Sequence, residues 1–170
     1  MKLSVKEIAI FSFLAAIMYA SKLVMEFLPN IHLVGVFVVA ITVVYRKKAL
    51  YSIYIFVMLT GLFSGFSLWW ISYLYIWLIL WAAVMLLPEN IKPSIKPFVY
   101  MFVCALHGLL YGTLYAPLHM LLFGMSFKGM LAWIAAGFSW DIVHAVGNFF
   151  CGALICPIIS AIKLGEKYAK

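Results

Sequence analysis

The forty residues Ala49–Pro88, ALYSIYIFVMLTGLFSGFSLWWISYLYIWLILWAAVMLLP, contain no Asp, Glu, Lys or Arg and lie between Lys48 and Glu89. The hydrocarbon core of a bilayer is about 30 Å thick, which takes about 20 residues of helix to cross. The stretch is long enough to cross and return, with the turn expected at Ser64–Ser67, where Gly65 and two serines interrupt the apolar run. It predicts the third and fourth of a series of transmembrane helices.

The same reading extends in both directions. Residues 5–45 are broken once, at Leu28-Pro29-Asn30, because proline has no backbone N–H to give a helix and disfavours helical backbone in the residue before it. That predicts helices one and two. Downstream, Pro97–Phe127 carries none of the four charged residue types and ends at Gly124-Met125-Ser126, while Gly129–Ile162 carries only Asp141; these predict helices five and six. The runs are continuously apolar and lack the alternation of a membrane β-barrel. The expectation is an all-α polytopic membrane protein with six transmembrane helices in one domain, residues 1–170. The longest loop, Pro88–Pro97, has three prolines and no room for a soluble catalytic domain.

Composition agrees: 68% of the residues are hydrophobic and 10% charged, against about 45–50% and 25% in a soluble domain. The net charge of +7 points to neither nucleic acid nor an acidic protein once its location is noted. Ten of the twelve Lys and Arg residues fall in four clusters: Lys2 and Lys6; Arg46, Lys47 and Lys48; Lys92 and Lys96; Lys163, Lys167 and Lys170. Each cluster is two expected spans from the next, as the excess of basic residues in cytoplasmic loops requires. Both termini are therefore expected in the cytoplasm, with the chain in the plasma membrane of a bacterium or archaeon and its basic residues at lipid headgroups. Met1–Ala20 is expected to be a retained helix and not a cleaved signal. Cys104, Cys151 and Cys156 fall inside apolar runs, so no disulfide is expected. No GxxxxGK[ST] sequence occurs, so ATP-driven work would need partner ATPases.

Two polar stripes interrupt the apolar background. On helix six, Trp133, Gly137, Asp141, His144 and Asn148 recur every three or four residues and share a face. A carboxylate facing lipid is costly, so Asp141 is expected inside the bundle, as part of either a structural hydrogen bond or a ligand site. On helix five, His107, Tyr111, Tyr115 and His119 recur every four residues around a kink expected at Pro117. His107 and Asn148, the deepest members, are expected to bridge helices. On helix four, Trp70, Tyr73 and Trp77 share a face and could wall a pocket for a flat ring, whereas Trp69 and Tyr75 read as interfacial belt residues. Glu26 forms an i,i+4 pair with Lys22, and Asn30 sits in the turn after helix one.

Ser12, Ala16 and Ala20 make a smooth ridge on helix one that permits close approach of another helix. The glycine pairs Gly61/Gly65 and Gly108/Gly112 suit packing within the bundle. Asp141, His144, His107 and His119 also have the ligand types of an intramembrane metal-dependent enzyme, although no HExxH or GxSxG sequence accompanies them. A stand-alone transporter is the other alternative, without an inverted repeat in its favour.

Taken together, the six expected spans, the alanine ridge, the segment Phe27-Leu28-Pro29-Asn30-Ile31-His32-Leu33-Val34 and the segment Gly65-Phe66-Ser67-Leu68-Trp69-Trp70-Ile71 resemble the S component of an energy-coupling factor transporter. The resemblance covers essentially the whole chain. It implies a non-enzymatic membrane receptor that needs no cofactor, captures a vitamin or related micronutrient outside and topples when joined to a transmembrane T component and two ATPase subunits. It implies that the AxxxA stretch Ala16–Ala20 meets the T component, and the ridge extends that expected surface to Ser12. It also implies a ligand site in the outer half, where Trp70, Tyr73, Trp77, Tyr111, Tyr115, His119, Trp133, Asp141, His144, Glu26 and Asn30 are the candidates. Family members that carry cobalt or nickel have an early histidine, which Met1-Lys2-Leu3 lacks, so no metal cargo is expected.

Overall fold

A helix that is apolar on every side must be surrounded by other helices or by lipid, and the segment Val34–Tyr45, VGVFVVAITVVY, is such a helix. In the computed structural model, which describes residues 3–168, it is the central pillar of a helical bundle. The elements are α1 Val5–Val24, α2 Val34–Tyr45, α3 Ala49–Ser64, α4 Leu68–Met85, α5 Lys96–Leu109, α6 Tyr111–Phe123, α7 Phe127–Cys151 and α8 Ile155–Tyr168. Short 3-10 turns, Arg46–Lys48 and Gly152–Leu154, join α2 to α3 and α7 to α8. No strand occurs among the described residues. Every residue from Val34 to Thr42 is buried, and α2 packs against α1, α3, α4, α5, α7 and α8.

Among the described residues, four stretches are long and apolar enough to cross a membrane: Val5–Val24, Leu68–Met85, Lys96–Phe123 and Phe127–Tyr168. α2 has 12 residues and α3 has 16, so α2 reaches only about 18 Å at 1.5 Å per residue. Lys2 and Lys170, members of two basic clusters, lie outside the described residues, as does Met1.

Two helices expected to be single are interrupted. The expected fifth helix breaks at Leu110, and Pro117 sits inside α6. Around the break, Leu110 N–H still reaches Leu106 O at 3.0 Å and Leu114 N–H reaches Leu110 O at 2.8 Å, but Gly112 N–H turns to Asp141 Oδ1 at 3.0 Å. The expected sixth helix ends as α7 at Cys151, passes through Gly152–Leu154 and resumes as α8, whose first turn holds Pro157, a position that needs no proline N–H.

α5 and α7 run antiparallel along a close seam that positions both polar stripes. A methyl group at Gly108 would lie 3.1 Å from Ala145 N and 2.8 Å from Asn148 Nδ2, and one at Gly152 would lie 2.9 Å from Met101 Cα. Asn148 Nδ2 donates to Cys104 O at 3.2 Å. The glycines let the two backbones approach until α7 side chains reach α5 carbonyls. Of the glycine pairs, Gly108 lies in this seam, while Gly112, in α6, meets Asp141 of α7. Gly61 instead faces the Phe66 and Trp70 side chains, and Gly65 (φ +91) ends α3 with nothing beside it.

On α1, a capping box between Ser4 and Glu7 starts the helix, and Glu7 also pairs with Lys48 at the start of α3. Phe11, Leu14, Ala15 and Met18 are buried, while Ser12, Ala16 and Ala20 are exposed on the outward side.

Candidate functional site

The α7 stripe meets the α5–α6 stripe at a cavity of about 470 Å³, within the size range of small-molecule sites. Of the eleven candidate ligand residues, Asn30, Tyr111, Tyr115, His119, Trp133 and Asp141 line it, joined by Gly112, Ile134, Gly137 and Trp140. Tyr115 and Trp133 stack on one another in its lining, with ring centroids 6.0 Å apart and planes 21° from parallel, and His119 lies 4.8 Å from the Trp133 ring. A second hollow of about 390 Å³ opens on the other side of Tyr115 and His119, against Ser67, Trp69, Ser72 and Phe123.

Asp141 is 6% exposed. Its Oδ1 accepts the Gly112 N–H, while Oδ2 is buried without a partner. The first contact puts a carboxylate at the amino end of α6, where backbone N–H groups lack helical acceptors. The second leaves an acceptor next to the cavity. Among the described residues no Lys or Arg lines the cavity, and a neutral or cationic ligand with a hydrogen-bond donor would find Asp141 there.

Below the cavity lies a packed cluster of rings. His144, 3% exposed, sits 5.0 Å from the Tyr111 ring and 4.8 Å from the His32 ring. Trp77 sits 6.0 Å from His32, 6.3 Å from Tyr111 and 5.6 Å from His107. His32 Nδ1, His144 Nε2 and Trp77 Nε1 are all buried without a hydrogen-bond partner. Unpaired buried polar atoms are uncommon because each forfeits its hydration, and here three are concentrated beside one cavity. His107 and Asn148 bridge helices: His107 Nε2 donates to Ile76 O at 3.1 Å, and Asn148 donates to Cys104 O.

His32 is the cluster member that reading by spacing missed, since a loop residue belongs to no helical stripe. The loop carries it inward through Asn30, whose φ of +58 is a left-handed conformation that asparagine adopts more readily than most residues. The loop then packs on α7, where a methyl at Gly147 would lie 3.1 Å from Ile31 Cγ1. The available signal was one polar residue between Ile31 and Leu33 directly after a proline turn.

Other candidates are placed elsewhere. Trp70 does not wall the cavity: its Nε1 donates to Val57 O at 2.8 Å and its ring packs on Phe66, tying α4 to α3. Tyr73 lies between Trp69 and Trp77, at 5.3 and 5.6 Å, and Trp77 joins the buried cluster. Glu26 stands at the surface, its side chain 67% exposed and 3.9 Å from Lys22 Nζ. The four residues of the metal-enzyme alternative are spread out, His119 keeping company with Phe123 and Trp133. Among the described residues no three His, Cys, Asp or Glu side chains are gathered to share an ion. Comparison with protein-family models, curated proteins and solved structures finds no match for this chain.

Proposed function

We propose that this chain is the substrate-capturing membrane subunit of an energy-coupling factor importer for a vitamin or related micronutrient. In this reading it passes six times through the plasma membrane of a bacterium or archaeon. Both termini are cytoplasmic, and the short α2 and α3 complete a pair of crossings inside the bundle. The observation that carries the reading is the meeting of two polar, aromatic stripes at one cavity of about 470 Å³ in an otherwise apolar helical bundle.

The ligand that suits this site is a flat ring with at least one hydrogen-bond donor and no negative charge. The stacked pair Tyr115 and Trp133 would offer it an aromatic wall, and Asp141 Oδ2 would accept from its edge. The outward ridge of Ser12, Ala16 and Ala20 is free for the T component, because internal packing of α1 uses the opposite residues. Two ATPase subunits would supply the energy, the chain having no phosphate-binding loop of its own.

Mass spectrometry of small molecules retained by the protein, purified from its natural host in mild detergent, tests the reading directly. The expected result is one stoichiometric heterocycle, which isothermal titration then shows to bind the emptied protein and to lose affinity in Asp141→Asn. A protein that retains no small molecule, and that binds none of a panel of vitamins and their precursors, would sink the reading.

A further inference from the structure

We propose that a basic cleft at the end of the bundle remote from the polar cavity binds the phosphate of an acidic phospholipid. The cleft has a volume of about 300 Å³ and is lined by Arg46, Glu89, Lys96, Tyr100 and Lys163 over apolar walls that include Val84. Its cations come from three separate elements: the turn after α2, the first residue of α5 and the body of α8. Three cations face one carboxylate, an arrangement whose mutual repulsion an anion relieves.

Arg46 is preset for this role. Trp81 Nε1 donates to Arg46 O at 3.1 Å, and one guanidinium nitrogen donates to Met85 O at 3.1 Å and lies 3.8 Å from Glu89. That leaves its other N–H groups for a ligand, in the planar fork that suits phosphate. Among the described residues neither Lys96 nor Lys163 pairs with a carboxylate.

The walls choose between a free anion and a lipid. Val43, Val84 and Leu87 line the cleft, and the neighbouring Leu86, Ile95 and Phe98 are 85%, 49% and 64% exposed. An inorganic anion has no use for these surfaces, whereas an acyl chain leaving a bound headgroup would lie along them. Basic pockets between transmembrane helices at the headgroup level are the usual form of such sites. The inference does not depend on what the polar cavity holds.

Native mass spectrometry of the full-length protein, titrated with phosphatidylglycerol and with phosphatidylcholine, tests the proposal. Wild type should retain phosphatidylglycerol preferentially, and Lys96→Gln/Lys163→Gln should weaken that retention about thirtyfold. The charge-matched pair Lys92→Gln/Lys167→Gln, exposed lysines outside the cleft, should leave it unchanged. Equal losses in the two pairs would mean diffuse attraction and overturn the site. Glycerol phosphate binding as tightly as the lipid would assign the cleft to a soluble anion and overturn the lipid. Wild-type lipid retention by Lys96→Gln/Lys163→Gln, with its assembly with partner proteins lost, would make the cleft a protein contact and overturn it too. Melting temperatures of all variants confirm that each remains folded.

Discussion

Gly112 donates its backbone N–H to Asp141 Oδ1 at 3.0 Å, so the carboxylate on α7 closes the break between α5 and α6. The contact requires glycine: a methyl at position 112 would lie 2.5 Å from Asp141 Oδ2 and 3.1 Å from Oδ1. The one acidic residue of the Gly129–Ile162 stretch thus has a structural oxygen and a free one, and the two can be separated by mutation.

Gly112→Ala should destabilise the protein by about 1–3 kcal/mol, as overpacking does. Asp141→Ala should cost a similar amount, about 1–3 kcal/mol, by leaving the Gly112 N–H unpaired. Asp141→Asn keeps an acceptor for that N–H and should unfold near the wild-type temperature while binding ligand about thirtyfold or more weakly, since a charge-assisted partner of the ligand is lost. Thermal unfolding in detergent and isothermal titration separate the two effects. A Gly112→Ala protein as stable as wild type would remove the structural role.

The α5–α7 seam makes a second stability prediction. Gly108→Ala forces a methyl against Ala145 N and Asn148 Nδ2, at 3.1 and 2.8 Å, whereas Gly137 has nothing within 4 Å of its added methyl. Gly108→Ala should lower the melting temperature clearly and Gly137→Ala should not. Equal effects would show that helix propensity, and not interhelical clearance, governs both sites.

Tryptophans that look alike in sequence should behave oppositely. Trp133→Ala removes a cavity wall and should weaken ligand binding about tenfold, in line with a lost aromatic contact. Trp70→Phe removes the hydrogen bond to Val57 O and should cost about 1 kcal/mol of stability with affinity unchanged. Loss of affinity in Trp70→Phe alone would move the site toward the α3–α4 turn.

Ala16→Leu and Ala20→Leu add bulk to residues that are exposed on α1. Both variants should keep wild-type stability and ligand affinity yet lose uptake in cells that carry the energising subunits. Should stability or binding fall along with uptake, the ridge would be serving the bundle instead.

The proposed six-pass topology predicts opposite labelling at two exposed positions, one in the loop before α5 and one in the first turn of α7. In a cysteine-free background, Ser94→Cys should resist a membrane-impermeant thiol reagent in intact cells, and Lys128→Cys should react. Both side chains are exposed, so accessibility within the protein cannot confuse the result. Reaction at Ser94→Cys from outside would end the six-pass reading.

The apolar runs and their breaks were legible from residue order alone. Pro29, Ser64–Ser67, Pro88–Pro97 and Gly124–Ser126 all fall where one helix gives way to the next, because at these positions the local backbone preferences of proline, glycine and serine coincide with a break in the apolar run. Spacing also placed Asp141, His144 and Asn148 on one buried face, since helical periodicity sets which residues share a side of their own axis. It could not set the rotation of one helix against another. That is why Trp70 turned to Val57 and not to the cavity, and why Glu26 stayed at the surface. The break at Leu110, the split at Gly152 and the entry of His32 beside His144 needed contacts from elsewhere in the chain: Asp141 on Gly112, Met101 against Gly152 and Ile31 on Gly147. Sequence alone thus determined a bundle of apolar helices carrying two polar stripes. Only tertiary structure decided which stripe members meet, because meeting depends on side-chain fit between segments distant in the chain, which no local periodicity encodes.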